Sequence, residues 1–139
     1  MDKKNKIGVI GGGSWATAIV KILQENTTIN WWVRSEDQAQ HIIKHNHNPK
    51  YLSSAVINVN RVSVFTDLHE LINTSQILII AVPSEFIHNT FLSIDKGEII
   101  NKVIVSAVKG IVPQLNLLPA LYFNQQLNVP NESIAIISG

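Results

Sequence analysis

Three small residues at fixed spacing, Gly11, Gly13 and Ala16, follow a predicted strand at residues 6–10 and precede a helix-compatible stretch. They fit the G-x-G-x-x-G/A pattern of a dinucleotide-binding βαβ unit. The first glycine permits a tight turn, the second lets a pyrophosphate approach the backbone, and the small third residue lets the helix lie close to the sheet. The pattern predicts that the phosphates bind at the positive end of the first helix.

The choice of dinucleotide depends on the residue that ends the second predicted strand. An acidic side chain there binds a ribose 2′-hydroxyl, whereas an arginine suits a 2′-phosphate. Arg34 occupies this position, Ser35 follows it, and the next acid is Glu36. A guanidinium can pair with a phosphate through two hydrogen bonds. NADP(H) is therefore the predicted cofactor; NAD(H) remains possible if Arg34 is only a solvated residue at a strand end.

Apolar runs alternate with helical patterns along the chain, which is typical of a parallel, doubly wound sheet with right-handed crossovers. We predict one α/β domain of Rossmann type over residues 1–139, with a mainly parallel six-stranded sheet in the order 3-2-1-4-5-6 and helices on both faces. The ligand is expected at the carboxyl ends of strands 1 and 4. The predicted strands are residues 6–10, 29–34, 62–65, 76–82, 102–108 and 133–138.

Several local features of the helices are also predicted. Ser35 with Gln38 three places on indicates a capping box at the second helix. Ile43 is expected on the buried face of that helix, and Thr66 is expected to cap the third helix. The last helix is predicted at about residues 115–127. Consecutive tryptophans in the second strand, Trp31 and Trp32, are expected to pack on opposite faces of the sheet.

Composition excludes several classes of function. Hydrophobic residues make up 45% of the 139 residues and charged residues 15%, as in a well-buried globular domain. The formal net charge of +1 gives no support for nucleic-acid or membrane-surface binding through bulk charge. With no cysteine there is no disulfide, thiol nucleophile or thiolate metal site. The absence of a signal or membrane-spanning pattern makes a cytoplasmic protein the simplest expectation.

Three histidines lie close together in the sequence, at His41, His45 and His47. The first two are four residues apart on a predicted helix, a spacing that can bind zinc. No Cys, Asp or Glu is suitably placed on the same face to complete a site, so we expect no metal.

The segment Gly11–Ala18 resembles the GAGSWGTA signature of bacterial NAD(P)-dependent glycerol-3-phosphate dehydrogenases. Gly12 stands where the signature has alanine, and Ala16 where it has glycine. The resemblance continues in the same order through the whole chain. It includes Trp32–Arg34, Asn48–Leu52, Ala81–Ser84, Ser106–Ile111 and Ser138–Gly139.

The resemblance implies interconversion of sn-glycerol 3-phosphate and dihydroxyacetone phosphate, with hydride transfer to or from NAD(P)H, in glycerophospholipid precursor synthesis. It implies that the cofactor contacts are Gly11, Gly13, Ser14, Trp15, Arg34, Tyr51, Phe86 and Lys109, and that Lys109 and Gly139 contact the substrate. Lys109 also fits physically, since it is the only charge expected at the end of the fifth strand and could stabilise negative charge on the substrate oxygen. A surface role for Lys109 and a plain core role for Trp15 are the alternatives.

The family's general acid/base lysine lies in a helical C-terminal domain, for which this chain has no matching residues. That domain also carries most substrate-phosphate contacts and the usual homodimer surface. We therefore expect the 139-residue chain to bind dinucleotide with little or no turnover. Two other functions remain open: a non-catalytic NAD(P)H-sensing module, and another two-domain dehydrogenase of the 3-hydroxyacyl or ketopantoate reductase type. The Val108–Ile111 stretch argues against the second.

Overall fold

The computed structural model describes residues 6–137, and its six strands form one parallel sheet in the order β3-β2-β1-β4-β5-β6. The predicted order is confirmed. The strands are β1 (Ile7–Ile10), β2 (Ile29–Trp32), β3 (Val62–Phe65), β4 (Ile77–Ile80), β5 (Val103–Ser106) and β6 (Ile134–Ile136). β1 pairs with β2 on one side and β4 on the other. The strands after β1 are therefore added first on one side of it and then, from β4 onward, on the other side. Ligands of open α/β sheets bind outside the carboxyl ends of the strands at this point.

Helices connect successive strands. They are α1 (Ser14–Leu23), α2 (Glu36–His45), α3 (Leu68–Asn73), α4 (Ser84–Phe91), α5 (Lys96–Ile99) and α6 (Pro119–Leu127), with a 3-10 turn at Asn131–Ser133. None within residues 6–137 is long and apolar enough to cross a membrane.

The last helix begins later than the predicted residue 115. Asn116 adopts a left-handed φ of 56°, and a bridge joins Val112 to Leu117, so the chain turns before the helix starts. Pro119 then occupies the first helical turn, where a missing N–H costs nothing. The prediction was wrong because the apolar spacing continued through the turn.

The sheet separates two hydrophobic cores, and the two tryptophans of β2 enter different ones. Trp31 packs with residues of α1 and α2, while Trp32 packs with residues of α3 and α4. The Trp31 indole N–H donates to the Gly11 carbonyl at 2.7 Å, and the Trp32 indole N–H donates to the Thr66 carbonyl at 2.9 Å. The predicted alternation is confirmed. Ile43, expected inside, is 46% exposed, because the inward stripe of α2 consists of Ala39 and Ile42.

Two helix caps differ from prediction. At α2 the Ser35 hydroxyl accepts from the Gln38 N–H at 3.2 Å, but the Gln38 side chain turns away from the cap and donates to the Gly12 carbonyl at 2.8 Å. Only half of the predicted capping box forms. At α3 the cap is Asp67, which accepts from two N–H groups of the first turn. The predicted cap, Thr66, lies one residue before the actual cap, and its hydroxyl donates to the Glu36 carboxylate at 2.9 Å.

An ion pair joins α3 to α5, the short helix that the sequence analysis missed. His69 Nδ1 lies 2.7 Å from Glu98 Oε1, and Glu98 also accepts from the Asp95 N–H at the start of α5. The hydrogen bond to Glu98 is the main cause that raises the pKa of His69 above 6.5, and the nearby Asp67 and Asp95 add to it. The same bond is the main cause that lowers the pKa of Glu98 below 4.5.

This pair is expected to make stability depend on pH in two directions. The Glu98 contribution is present above pH 4.5 and is lost as the pH falls through the lowered folded-state pKa. The His69 contribution is present below pH 6.5 and is lost as the pH rises through the raised folded-state pKa. The difference in unfolding free energy between the natural chain and His69→Gln, measured by urea unfolding across pH, should therefore be largest between about 4.5 and 6.5. A difference that does not change with pH would show that the pair does not stabilise the fold.

Candidate functional site

A cavity of about 760 Å³ opens at the carboxyl ends of β1, β4 and β5. It is formed by the glycine turn and first turn of α1, the residues after β4 and β5, one residue of the segment after α2, and the residue after β6. The lining residues are Gly13, Ser14, Trp15, Tyr51, Ala81, Val82, Pro83, Ser84, Glu85, Ala107, Val108, Lys109 and Ile137. Five of the predicted site residues therefore meet here: Gly13, Ser14, Trp15, Tyr51 and Lys109.

Gly11 forms the turn out of β1 and lies behind the cavity lining. Its φ of +139° is one that side-chain-bearing residues rarely adopt, and a Cβ at this position would lie 2.5 Å from the Ala81 carbonyl oxygen. The turn is fixed on its other side, where the Gly11 N–H donates to the Trp32 carbonyl at 3.1 Å. Gly11 is thus required for the shape of the turn and for its close approach to the end of β4.

Gly13 has a different role, because a Cβ at this position would meet no atom of residues 6–137 within 4 Å. Its φ of −86° is ordinary, so neither packing nor backbone conformation explains a glycine here. It is the N-cap of α1, whose first turn contains no acid, and no side chain among the described residues caps that helix. The first N–H groups and the positive end of the helix are therefore available beside open space. This arrangement fits a pyrophosphate.

Trp15 connects the first turn of α1 to the end of β5. Its indole N–H donates to the Ala107 carbonyl at 2.9 Å, and its side chain lines the cavity while 50% exposed. The alternative of a plain core aromatic is therefore wrong. Because the indole N–H is already paired, Trp15 can contact a ligand through the face or edge of its ring.

Two charged side chains line the cavity among the described residues, Lys109 and Glu85. Lys109 was predicted from its place at the end of the fifth strand, whereas Glu85 was not predicted as a site residue. Lys109 follows β5 and is exposed, and Glu85 lies in the first turn of α4. At the same opening, the Lys109 ammonium would attract an anionic group of a ligand and the Glu85 carboxylate would repel it. The sequence carries no distinct signal for Glu85, since acids are common in the first turn of helices.

Sequence reasoning also missed Asn48, which is fully buried next to the glycine turn. Its side-chain amide donates to the Gly12 carbonyl at 3.0 Å and to the Thr17 hydroxyl at 2.9 Å. Its oxygen accepts from the backbone N–H groups of Lys50 and Tyr51 at 3.0 and 3.3 Å. Asn48 therefore joins the Tyr51 segment to the turn. The only hint in the sequence was its place in the Asn48–Leu52 stretch of the family resemblance.

Besides Gly11, two predicted contacts among the described residues, Arg34 and Phe86, do not line the cavity. Arg34 is exposed just past β2, at the same edge of the sheet as the glycine turn. Phe86 is 46% exposed on α4. Gly139 is outside the described residues. Their roles toward a ligand stay predictions.

The three histidines form a surface cluster at the end of α2. His41 Nε2 and His47 Nε2 are 3.4 Å apart, and the His45 ring lies 4.6 Å from that of His41. Partial burial first, and then the two neighbouring imidazoles, lower the pKa of His41 below 6.5. Within residues 6–137, no three His, Cys, Asp or Glu side chains are arranged to hold a metal ion.

Comparison with known sequences gives a family match along almost the whole chain. Residues 6–139 match the family model described as the N-terminus of NAD-dependent glycerol-3-phosphate dehydrogenase. The glycerol-3-phosphate dehydrogenase (NAD(P)+) of Pseudomonas fluorescens is 31% identical over 140 residues, which cover 100% of this chain and 38% of that protein. The enzyme of the same name from Thermoanaerobacter is 35% identical over 107 residues, which cover 76% of this chain and 32% of that protein. The chain thus spans well under half the length of these curated relatives.

Solved structures show the same architecture. Glycerol-3-phosphate dehydrogenase from Plasmodium falciparum superimposes with a TM-score of 0.82 at 27% identity, over 97% of this chain and 40% of that one. The Saccharomyces cerevisiae enzyme superimposes with a TM-score of 0.83 at 23% identity, over 99% of this chain and 42% of that one, a likeness that concerns the fold alone.

Proposed function

We propose, since this chain belongs to the NAD-dependent glycerol-3-phosphate dehydrogenase family, that it binds a nicotinamide dinucleotide across the carboxyl ends of β1 and β4. The observation that carries the proposal is the open space beside Gly13, at the uncapped N-terminus of α1. A pyrophosphate there would receive backbone N–H groups and the positive end of the helix dipole. The indole ring of Trp15 and the Tyr51 side chain would then contact the rest of the cofactor within the same cavity.

The proposed reaction of the whole protein is the interconversion of glycerol 3-phosphate and dihydroxyacetone phosphate, a step that supplies the glycerophospholipid backbone. When bound, the nicotinamide ring supplies or accepts the hydride. Lys109 would hold the substrate at the cavity and favour negative charge developing on its oxygen. Gly139 is proposed to contact the same substrate.

The proposed chemistry also requires a proton donor and acceptor. We assign that role to a lysine in the family's helical C-terminal domain, for which this chain has no matching residues. We assign most substrate-phosphate contacts and a homodimer surface to the same domain. Purified 139-residue chain should therefore bind NADPH but show little turnover of dihydroxyacetone phosphate, followed as loss of NADPH absorbance. Rapid turnover would contradict this division of roles.

The proposed preference for NADPH over NADH depends on Arg34. We expect Arg34→Ala to weaken NADPH binding by about tenfold, the loss typical of a hydrogen bond to a charged group, and to leave NADH binding nearly unchanged. Isothermal titration calorimetry with each dinucleotide measures both effects. Arg61→Ala is the matched control, because Arg61 is also exposed but lies just before β3, at the opposite edge of the sheet. Equal effects of Arg34→Ala on the two dinucleotides would contradict the assignment.

A further inference from the structure

Two side-chain amides converge on one carbonyl oxygen of the glycine turn. The Gly12 carbonyl accepts from Gln38 Nε2 at 2.8 Å and from Asn48 Nδ2 at 3.0 Å. The two donors also contact each other, since Gln38 Nε2 lies 3.2 Å from Asn48 Oδ1. The carbonyl is thus held from α2 and from the segment that follows α2, two parts of the chain that are distant from the turn in sequence.

Fixing this carbonyl fixes the next N–H group. The peptide unit is planar and trans, so the Gly13 N–H points opposite to the Gly12 carbonyl. Within residues 6–137 no acceptor pairs with the Gly13 N–H, and Gly13 lines the cavity. The two amides therefore direct a free backbone donor away from α2, toward the space where the phosphates are proposed to bind.

The following carbonyl of the turn is held as well. The Thr17 hydroxyl donates to the Gly13 carbonyl at 2.7 Å and itself accepts from Asn48 Nδ2 at 2.9 Å. Asn48 is fully buried, and within the described chain no buried side-chain N or O atom lacks a hydrogen-bond partner. A fully paired buried network of this kind is rigid.

The Gln38 side chain also accounts for Gly12. A Cβ on Gly12 would lie 2.9 Å from Gln38 Oε1 and 3.1 Å from Gln38 Nε2. The alanine of the family signature would therefore displace the Gln38 amide from the carbonyl that it holds. Gly12 and Gln38 form a matched pair, in which the missing methyl group makes room for the amide.

From these contacts we infer that Gln38 and Asn48 are positioning residues, which hold the Gly12–Gly13 peptide so that the Gly13 N–H can donate to the pyrophosphate of a dinucleotide. The inference rests on the proposed dinucleotide binding. Neither side chain lines the cavity, so both act through the backbone of the turn.

The test replaces Gln38, whose side chain is only half-buried, so that the fold is retained. Gln38→Met keeps the length and removes the donor, and Gln40→Met is the matched control on the exposed face of the same helix. We expect Gln38→Met to weaken binding of NADPH and of ADP-ribose by about fivefold, and to change binding of 2′-AMP, which has no pyrophosphate, by less than twofold. In ¹H–¹⁵N correlation spectra of the ligand-free chain, the backbone amide signal of Gly13 should shift in Gln38→Met but not in Gln40→Met.

The outcomes separate this inference from the proposed function. Failure of the natural chain to bind NADPH or ADP-ribose would overturn the proposed function, and the Gly13 amide signal would still test whether Gln38 holds the peptide. Equal losses for ADP-ribose and 2′-AMP would show a general effect of α2 and overturn the positioning role. So would unchanged ADP-ribose binding, or an unmoved Gly13 signal.

A second pair of variants checks the coupling between Gly12 and Gln38. Gly12→Ala should weaken ADP-ribose binding in the natural background, because the new methyl group displaces the Gln38 amide. In the Gln38→Met background it should add little, since the hydrogen bond is already absent. Fully additive effects on binding would contradict the pairing.

Discussion

Replacing Gly11 with alanine is expected to lower the free energy of unfolding by about 3 kcal/mol or more. The added Cβ would lie 2.5 Å from the Ala81 carbonyl oxygen, on a backbone with φ of +139°. Neither atom can move easily, because the turn is bonded to β2 through Trp32 and Ala81 itself donates to the Ile10 carbonyl. Urea unfolding followed by circular dichroism measures the loss.

Gly97→Ala is the matched control for Gly11→Ala. A Cβ at Gly97 meets no atom of the described part of the chain within 4 Å, and Gly97 lies inside helix α5, where alanine is the better residue. The same chemical change should there leave stability unchanged or raise it by about 0.5–1 kcal/mol. Similar stability of Gly11→Ala and Gly97→Ala would mean that the turn is not constrained as described.

The same substitution two residues later is expected to act on binding instead of folding. At Gly13 the methyl group would enter open space, on a backbone with an ordinary φ of −86°. The free energy of unfolding should therefore change by no more than about 1 kcal/mol, the usual effect at an N-cap. Affinity for NADPH should fall by about 10- to 100-fold, because the methyl group occupies the place proposed for the pyrophosphate. Calorimetric titration of Gly13→Ala with NADPH measures this loss, and unchanged affinity would place the phosphates elsewhere.

The fold could be predicted because the strongest sequence signals are also the ones that determine the sheet. The run Ile77–Ile80 is apolar throughout, as expected of a strand covered on both faces, and turns separate it from helical patterns. β3 forms at the predicted residues 62–65. The other strands are shorter than predicted, mostly at their carboxyl ends. There the apolar pattern continues through residues such as Ala81, Val82 and Val108, which leave the sheet to line the cavity.

Most of the features that were not predicted depend on contacts between residues far apart in sequence. The Gln38 side chain looked like half of a capping box, yet its partner is a carbonyl 26 positions earlier in the chain. Asn48 reaches the same carbonyl across 36 positions. Glu85 enters the cavity only because α4 begins at its edge. Residue types and local spacing predict the glycine turn, but not the side chains that hold it from outside.

The most direct test of dinucleotide binding at the glycine turn is an NMR titration of the ¹⁵N-labelled 139-residue chain with NADPH. If the dinucleotide binds at the glycine turn, saturable shifts will be concentrated in the amides of Gly13, Ser14 and Lys109 and in the indole N–H of Trp15. Residues at the opposite edge of the sheet, such as Arg61 and Gln76, should stay unchanged. Absence of shifts, or shifts centred away from the glycine turn, would contradict binding at this turn.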